Sequence, residues 1–158
     1  MKIFRNNSVL VLLLSILCML VVSSGCRKRT PPPQTDSKPK TFIKTMEPSW
    51  ISIALRDGVT EDQAWDAILD ILIKRFDMEV MEKTNGYIRT VWLYTWTGQA
   101  TEDYRVRTTV KFKKGEKKVD IKTEAEYNSG GQWVAGYDTR LVETLKTDIM
   151  GSVGRTTR

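Results

Sequence analysis

Two segments of the chain, 104–113 and 118–127, alternate between apolar and polar residues. This period of two predicts β-strands with one buried and one exposed face. If residues 114–117 form a hairpin loop, the register that buries both apolar rows also places opposite charges across the strands. The opposed pairs are Lys111 with Asp120, Arg107 with Glu124, and Arg105 with Glu126. The agreement between burial and charge predicts both the hairpin and its register.

A period of three to four residues indicates two helices. Thr60 and Gln63 have the spacing of a capping box, which predicts that the first helix begins there and continues through residues 62–76. A second amphipathic helix is predicted over residues 138–153. The apolar stripes are Trp65, Ile68, Leu69, Leu72, Ile73 and Phe76 in the first helix, and Leu141, Val142, Leu145, Ile149 and Val153 in the second.

Three other segments resemble strands: 49–55, 78–83 and 87–96. Asn85-Gly86 separates the last two and is a strong hairpin signal. Together these elements predict an α+β fold, in which an antiparallel sheet of about four to five strands has two helices packed on one face. Residues 50–158 are expected to form this single domain.

The first 25 residues have the pattern of a leader. Lys2 and Arg5 precede an apolar run over residues 9–22, and the small residues 23–25 lead to Cys26. This is a secretory signal that ends at a cysteine. An uncleaved membrane helix is less favoured, because spanning a bilayer takes roughly 18 apolar residues. The pattern resembles the lipobox of bacterial lipoproteins, which implies cleavage of residues 1–25 and a lipid on the sulfur and amine of Cys26.

Residues 26–49 are predicted to be a disordered tether, because they contain a proline run at 31–33 and lack apolar periodicity. The net charge of the chain is +6. All of this excess precedes residue 50, and residues 50–158 carry equal numbers of basic and acidic side chains. A nucleic-acid binder would gather positive charge on a folded face, so nucleic acid is not an expected partner. Residues 27–29 either contact anionic headgroups or belong to a soluble spacer.

The residue types for most catalytic chemistry are missing from the sequence. The chain has no histidine, and Cys26 is the one cysteine that follows the leader. No glycine-rich phosphate loop follows a strand. The carboxylates occupy periodic positions that are expected to face solvent. We therefore expect a protein that is not an enzyme and has no cofactor or metal site.

Binding is the remaining kind of function. Residues 129–137 are predicted to be a flexible glycine-rich loop that carries Trp133 and Tyr137. These two residues are the candidate partner contact, because tryptophan and tyrosine are enriched in interface hot spots. The alternative is that both side chains fold back and seal the end of the core.

A family resemblance follows from these features together. The lipobox cysteine, the proline-containing tether, the capped helix at 62–76, the strand and turn at 85–92 and the strand at 104–107 are similar to those of BamC-type, helix-grip lipoprotein domains. The resemblance covers residues 50–153. It implies a non-enzymatic accessory in outer-membrane protein assembly that acts through protein contacts. Lipoproteins of that type carry two such domains, and this chain has room for one.

The resulting expectation is a lipid-anchored scaffold or accessory in outer-membrane or envelope protein assembly, with an envelope protein as its partner. Arg27 follows the lipidated cysteine, and in the sorting rule of the resembled lipoproteins the absence of aspartate there favours the outer membrane, with the domain facing the periplasm. Two alternatives stay open: a module that binds a lipid, a glycan or a small ligand, and a subunit of a secretion apparatus. A large apolar cavity between helices and sheet would favour the ligand-binding module, and a filled core would favour the scaffold.

Replacing Cys26 tests the anchor directly. We expect the N-terminal peptide of the membrane-bound protein to begin at Cys26 with the added mass of acyl chains. The variant Cys26→Ser should carry no acyl chain and keep its leader, because the lipid-accepting sulfur is missing. Mass spectrometry of the N-terminal peptide measures both properties. Cys18→Ser, inside the leader, is the matched control and should be processed normally; a parent chain that still begins at Met1 would contradict the prediction.

Overall fold

The computed structural model describes residues 38–98 and 102–155. The predicted signal peptide 1–25, the predicted lipidation site Cys26 and the first part of the predicted tether lie outside these residues. Residues Asp36–Arg158 form one compact unit. Within the described residues, no helix is both long enough and apolar enough to cross a membrane.

The described residues form one antiparallel sheet and two α-helices. In chain order the elements are β1 (Phe42–Lys44), β2 (Ser49–Ala54), α1 (Glu61–Ile73), β3 (Met78–Glu82), a 3₁₀ turn (Lys83–Asn85), β4 (Tyr87–Thr90), β5 (Tyr104–Lys113), β6 (Lys118–Ser129), β7 (Gln132–Asp138) and α2 (Thr139–Ser152). The strand order is β1-β7-β6-β5-β4-β3, and β2 also pairs with β6. The α+β class is confirmed, but this part of the chain contributes seven strands and not the predicted four to five.

The β5–β6 hairpin has the predicted register, from Lys113 opposite Lys118 to the far end of the ladder. Two of the expected ion pairs form: Arg105 with Glu126 at 2.5 Å, and Arg107 with Glu124 at 2.9 Å. The third differs, because the Asp120 carboxylate pairs with Lys113 at 3.1 Å and not with Lys111. The β5–β6 register thus followed from the sequence. Which of the two lysines, Lys111 or Lys113, pairs with Asp120 did not.

Strand β6 is long enough to pair with two strands along one edge. Its first half pairs with β2 from Lys118 to Thr123, and its second half pairs with β7 from Ala125 to Ser129. Strand β7 then pairs with β1. The strands β2 and β7 therefore follow one another along β6, and the connection Thr45–Pro48 runs between β1 and β2 beside the junction.

The predicted loop over residues 129–137 is wrong, since these residues form the turn of the β6–β7 hairpin and nearly all of β7. Gly130 and Gly131 have φ angles of 60° and 89°, which is the conformation of a tight two-residue hairpin turn. The residues that follow the turn alternate between exposed and buried positions. The glycines thus mark the turn alone, and Trp133 and Tyr137 lie on a strand.

The predicted boundary between tether and domain at residue 50 is also wrong. Strand β1 lies inside the segment that was predicted to be a disordered tether, and β2 begins at Ser49. Phe42 is 3% exposed, and its ring lies 6.0 Å from the Tyr104 ring. Gly136 makes room for this packing, since a Cβ there would lie 2.7 Å from the Phe42 ring. A strand of three residues is too short to show a period of two, so the sequence pattern did not indicate it.

The two helices begin with side-chain caps and cover the same face of the sheet, which we call the inner face. At α1, Thr60 Oγ1 accepts from the Gln63 N–H at 3.1 Å, and Gln63 Oε1 accepts from the Thr60 N–H at 3.0 Å. This confirms the predicted capping box. Helix α2 begins after Asp138, whose carboxylate accepts from the Leu141 N–H at 2.9 Å. The opposite face of the sheet is called the outer face.

Aliphatic side chains fill the space between the helices and the inner face. Both helices and the central strands contribute residues with relative exposure of 0%. The largest of these are Ile68, Leu72, Ile88, Ile121, Leu141, Leu145 and Ile149. A filled core of this kind is the arrangement that favours a scaffold over a ligand-binding module.

Asp138 joins three parts of the fold through one buried carboxylate. In addition to capping α2, it accepts hydrogen bonds from Thr41 Oγ1 and Tyr104 Oη, both at 2.6 Å. Burial, together with this hydrogen bond, raises the pKa of Tyr104, so its hydroxyl remains a donor. The carboxylate therefore connects the segment before β1, the start of β5 and the first turn of α2.

We expect Asp138→Ala to lower the free energy of unfolding by about 2–4 kcal/mol, because it removes a helix cap and leaves the buried Tyr104 hydroxyl and the half-buried Thr41 hydroxyl without their acceptor. Urea unfolding of the purified protein measures the loss. Thr60→Ala is the comparison, since it removes an exposed cap and should cost about 1 kcal/mol. Equal losses in the two variants would show that the buried hydrogen bonds of Asp138 contribute nothing.

Candidate functional site

Trp133 and Tyr137 lie on the outer face of β7, with Ala135 between them on the same face. Trp133 is 38% exposed, and Tyr137 is half-buried. The residues between them that point inward are Val134 and the buried Gly136. Neither proposed position is therefore correct in detail: the two aromatics are not on a loop, and they do not seal the core.

Trp92 also reaches the outer face, because the register between β4 and β5 shifts by one residue. Ile88 is opposite Val110, but beyond the end of β4 Leu93 bridges Val106. A shift of one residue exchanges the two faces of a strand. An unbroken strand over the predicted range 87–96 would place Trp92 on the same face as Ile88, and the shift shows that this reading of the segment is wrong.

The guanidinium of Arg105 lies between two indole rings. Its Cζ is 4.5 Å from the centroid of Trp92 and 4.1 Å from that of Trp133. Nε and Nη2 donate to Glu126 Oε2 at 2.8 and 2.5 Å, and Nη1 donates to the Tyr94 hydroxyl at 3.1 Å. Burial lowers the pKa of Arg105, but the hydrogen bonds to Tyr94 and Glu126 outweigh this effect and raise it. The side chain is thus held in one place as a permanent cation.

Arg107, two residues along β5 on the same face, repeats this combination of an indole contact and a glutamate partner. Its Cζ lies 4.3 Å from the Trp92 centroid, and its Nε donates to Glu124 Oε2 at 2.9 Å. Lys122 Nζ donates to the other oxygen of Glu124 at 2.9 Å. Burial raises the pKa of Glu124, but the hydrogen bonds from Arg107 and Lys122 outweigh it and lower the pKa.

We call these residues the tryptophan–arginine array. Its members are Trp92, Tyr94, Arg105, Arg107, Glu124, Glu126 and Trp133. Both described helices pack against the inner face, and on the outer face Tyr94 and Trp133 are each 38% exposed. Each cation–π contact of this kind contributes about 0.5–1 kcal/mol at an exposed site. The array is therefore an ordered surface that combines aromatic rings with fixed charges.

A cavity of about 160 Å³ opens beside the array, at the junction of β2 and β7. Its walls include Thr45, Met46, Lys122, Glu124, Glu126 and Ala135. Met46 is 92% exposed at the rim. The outer face thus has a recess of the size of one side chain next to its aromatic rings.

The carboxylates of the array are each paired with an arginine. Among the described residues, no group of three or more histidine, cysteine or acidic side chains is placed to hold a metal ion. What the array offers a partner is aromatic surface, guanidinium groups and a shallow recess.

The sequence contained a signal for part of this site. Gly130-Gly131 followed by alternating residues is a hairpin pattern, and it would have placed Trp133 on the outer face beside the arginines of β5. No local signal indicated the position of Trp92, since the register shift depends on pairing between distant segments.

Comparison with known proteins adds no assignment. No known protein family matches the chain, and no curated protein is similar to it. The resemblance to BamC-type lipoproteins therefore stays a prediction.

The lowered pKa of Glu124 predicts a pH-dependent contribution to stability. Because the pKa of the folded state lies below the ordinary value of 4.5, Glu124 stabilises the fold above that pH, and this stabilisation is lost as the pH falls through the lower value. We expect Glu124→Gln to lower the free energy of unfolding by about 1 kcal/mol at neutral pH, and the difference from the parent to shrink below about pH 4.5.

Urea unfolding at a series of pH values measures this difference. Glu143→Gln is the control, because Glu143 is an exposed carboxylate of α2 and lies outside the array. A difference between Glu124→Gln and the parent that stays constant into the acid range would contradict the role of Glu124.

Proposed function

We propose that the chain is a membrane-anchored lipoprotein whose domain binds another envelope protein through the tryptophan–arginine array, as a non-enzymatic scaffold or accessory in outer-membrane or envelope protein assembly. The observation that carries this proposal is the Arg105 guanidinium held between Trp92 and Trp133 on a sheet face that no described element covers. The anchor at Cys26 and the similarity to BamC-type domains support the envelope location.

The composition of the array matches that of a protein interface. Tryptophan, tyrosine and arginine are the residues most enriched in hot spots, and the array presents all three within one ordered cluster. Their side chains are already held in place by neighbouring residues, so little side-chain conformational entropy is lost when a partner binds. A partner therefore meets a pre-formed surface.

The shape of the face also suits a protein. A sheet face is broad and shallow, and the recess of about 160 Å³ beside Met46 accommodates a single side chain of the partner. Small-molecule pockets usually enclose at least about 300 Å³. The filled core between the helices and the sheet supports the same choice, because a lipid-binding or small-ligand module needs space there.

A photocrosslinking residue at Ala135 tests the proposed contact. Ala135 is exposed on the outer face beside Trp133, whereas Glu143 is exposed on α2 and is the control position. In the membrane-tethered protein, we expect crosslinking from Ala135 to one defined envelope protein, identified by mass spectrometry, and none from Glu143. Trp133→Ala should reduce the yield about tenfold or more, as for a hot-spot residue.

Met81→Ala is the matched control, because Met81 is 57% exposed at the far edge of the sheet and lies outside the array. Tyr137→Ala tests how far the contact extends along β7. The Cys26→Ser variant separates tethering from recognition, since it should lower the yield without changing which protein is crosslinked. Equal crosslinking from both positions, or adducts with glycan or lipid alone, would refute the proposal.

A further inference from the structure

Positive charge is concentrated at one end of the sheet, although residues 50–158 as a whole are neutral. Five of the eight residues from 111 to 118, in the β5–β6 hairpin, are lysines, and one is acidic. We call this segment the lysine hairpin; its lysines are Lys111, Lys113, Lys114, Lys117 and Lys118. Glu61 at the start of α1 contacts the hairpin tip, and together with Glu116 and Asp120 it sets three carboxylates against these five lysines, so a local positive excess remains.

Most of this charge is not neutralised within the described residues. Asp120 is the nearest acidic residue across the hairpin, but it accepts a hydrogen bond from Ser52 and pairs with Lys113 at 3.1 Å. Lys111 is left without a carboxylate, although Asp120 is its partner in register. Lys118 likewise forms no ion pair in the described part of the chain.

Two aromatic rings flank the unpaired Lys111. Its Nζ lies 5.6 Å from the Trp50 ring and 6.0 Å from the Tyr87 ring. The Trp50 side chain is 47% exposed. Tryptophan and tyrosine prefer the interfacial region of a membrane, where lysine meets anionic headgroups.

The tip of the hairpin is held in position by the rest of the fold. The Gly115 N–H donates to Glu61 Oε1 at 3.0 Å, and Lys114 Nζ donates to the Thr84 carbonyl. The Glu116 N–H closes the turn on the Lys113 carbonyl at 3.0 Å. The lysines therefore project from a fixed backbone, and contact with a surface requires little ordering.

We propose that the lysine hairpin and Trp50 dock this end of the domain on an anionic phospholipid surface. The charge complements phosphate-bearing headgroups, and Trp50 supplies the apolar part of an interfacial contact. Each lysine close to an anionic membrane contributes about fivefold to the binding constant. The tryptophan–arginine array lies further along the same strands, from the Arg107–Glu124 pair to Trp133, and adjoins this contact at Lys122, which is opposite Trp50.

The proposal depends on the proposed lipid anchor only for local concentration. Eleven residues lie between Cys26 and Lys38, so this part of the chain cannot extend beyond about 40 Å. A domain held that close to a bilayer meets headgroups at a high effective concentration, and a weak contact is then sufficient.

Vesicle binding by the compact unit Asp36–Arg158, which carries its whole core and no acyl chain, tests the contact. We expect cosedimentation with vesicles of phosphatidylcholine and phosphatidylglycerol, little with phosphatidylcholine alone, and weaker binding as salt is raised. The double variant Lys111→Gln/Lys118→Gln should bind about 25-fold more weakly. Trp50→Ala should also weaken binding.

Lys74→Gln/Lys146→Gln is the matched control, because it removes the same charge from exposed positions on the helical side. It should retain most of the binding, and urea unfolding should show that both double variants remain folded. Equal loss in the two double variants, equal binding to neutral vesicles, or stronger binding to polyglutamate than to vesicles would overturn the proposal. The assay contains no protein partner, so its failure would leave the proposed function standing.

Discussion

The buried carboxylate of Asp138 is the interaction on which the arrangement of the fold depends. It ends β7, starts α2 and holds Thr41 and Tyr104 by hydrogen bonds of 2.6 Å. A buried carboxylate is costly unless donors surround it, and two of its three donors, Thr41 and Tyr104, come from parts of the chain that are distant in sequence. The Asp138 carboxylate therefore fixes two positions at once: that of α2 on the inner face and that of β1 beside β7.

With both helices on the inner face, the outer face is left for contacts. The two ends of this face differ in whether their cationic side chains are paired with carboxylates. At one end Arg105 and Arg107 are paired with glutamates and stacked on indoles. At the other end Lys111 faces an aspartate that is already paired with Lys113. Ordered, paired cations suit recognition of a specific protein surface, whereas unpaired lysines suit a surface of uniform negative charge.

The one-residue shift after β4 links the fold to the candidate site. If the ladder from Ile88 to Val110 continued unchanged, Trp92 would enter the core and Leu93 would face solvent. The shift exchanges them: Leu93 packs against the core and Trp92 covers both arginines. The array thus exists because of an irregularity in pairing, which changes the face of each residue that follows it.

The sequence by itself determined the two helices, the capping box at Thr60, the register of β5 and β6 and the α+β class, because periodicity, caps and facing charges are local properties. It also contained the lipobox pattern, which lies outside the described residues. Only the tertiary structure decided that β1 and β7 join the sheet, that Trp92 faces outward and that Asp120 selects Lys113. Each of these outcomes depends on which distant segment lies alongside, and a local pattern of residues carries no information about that neighbour.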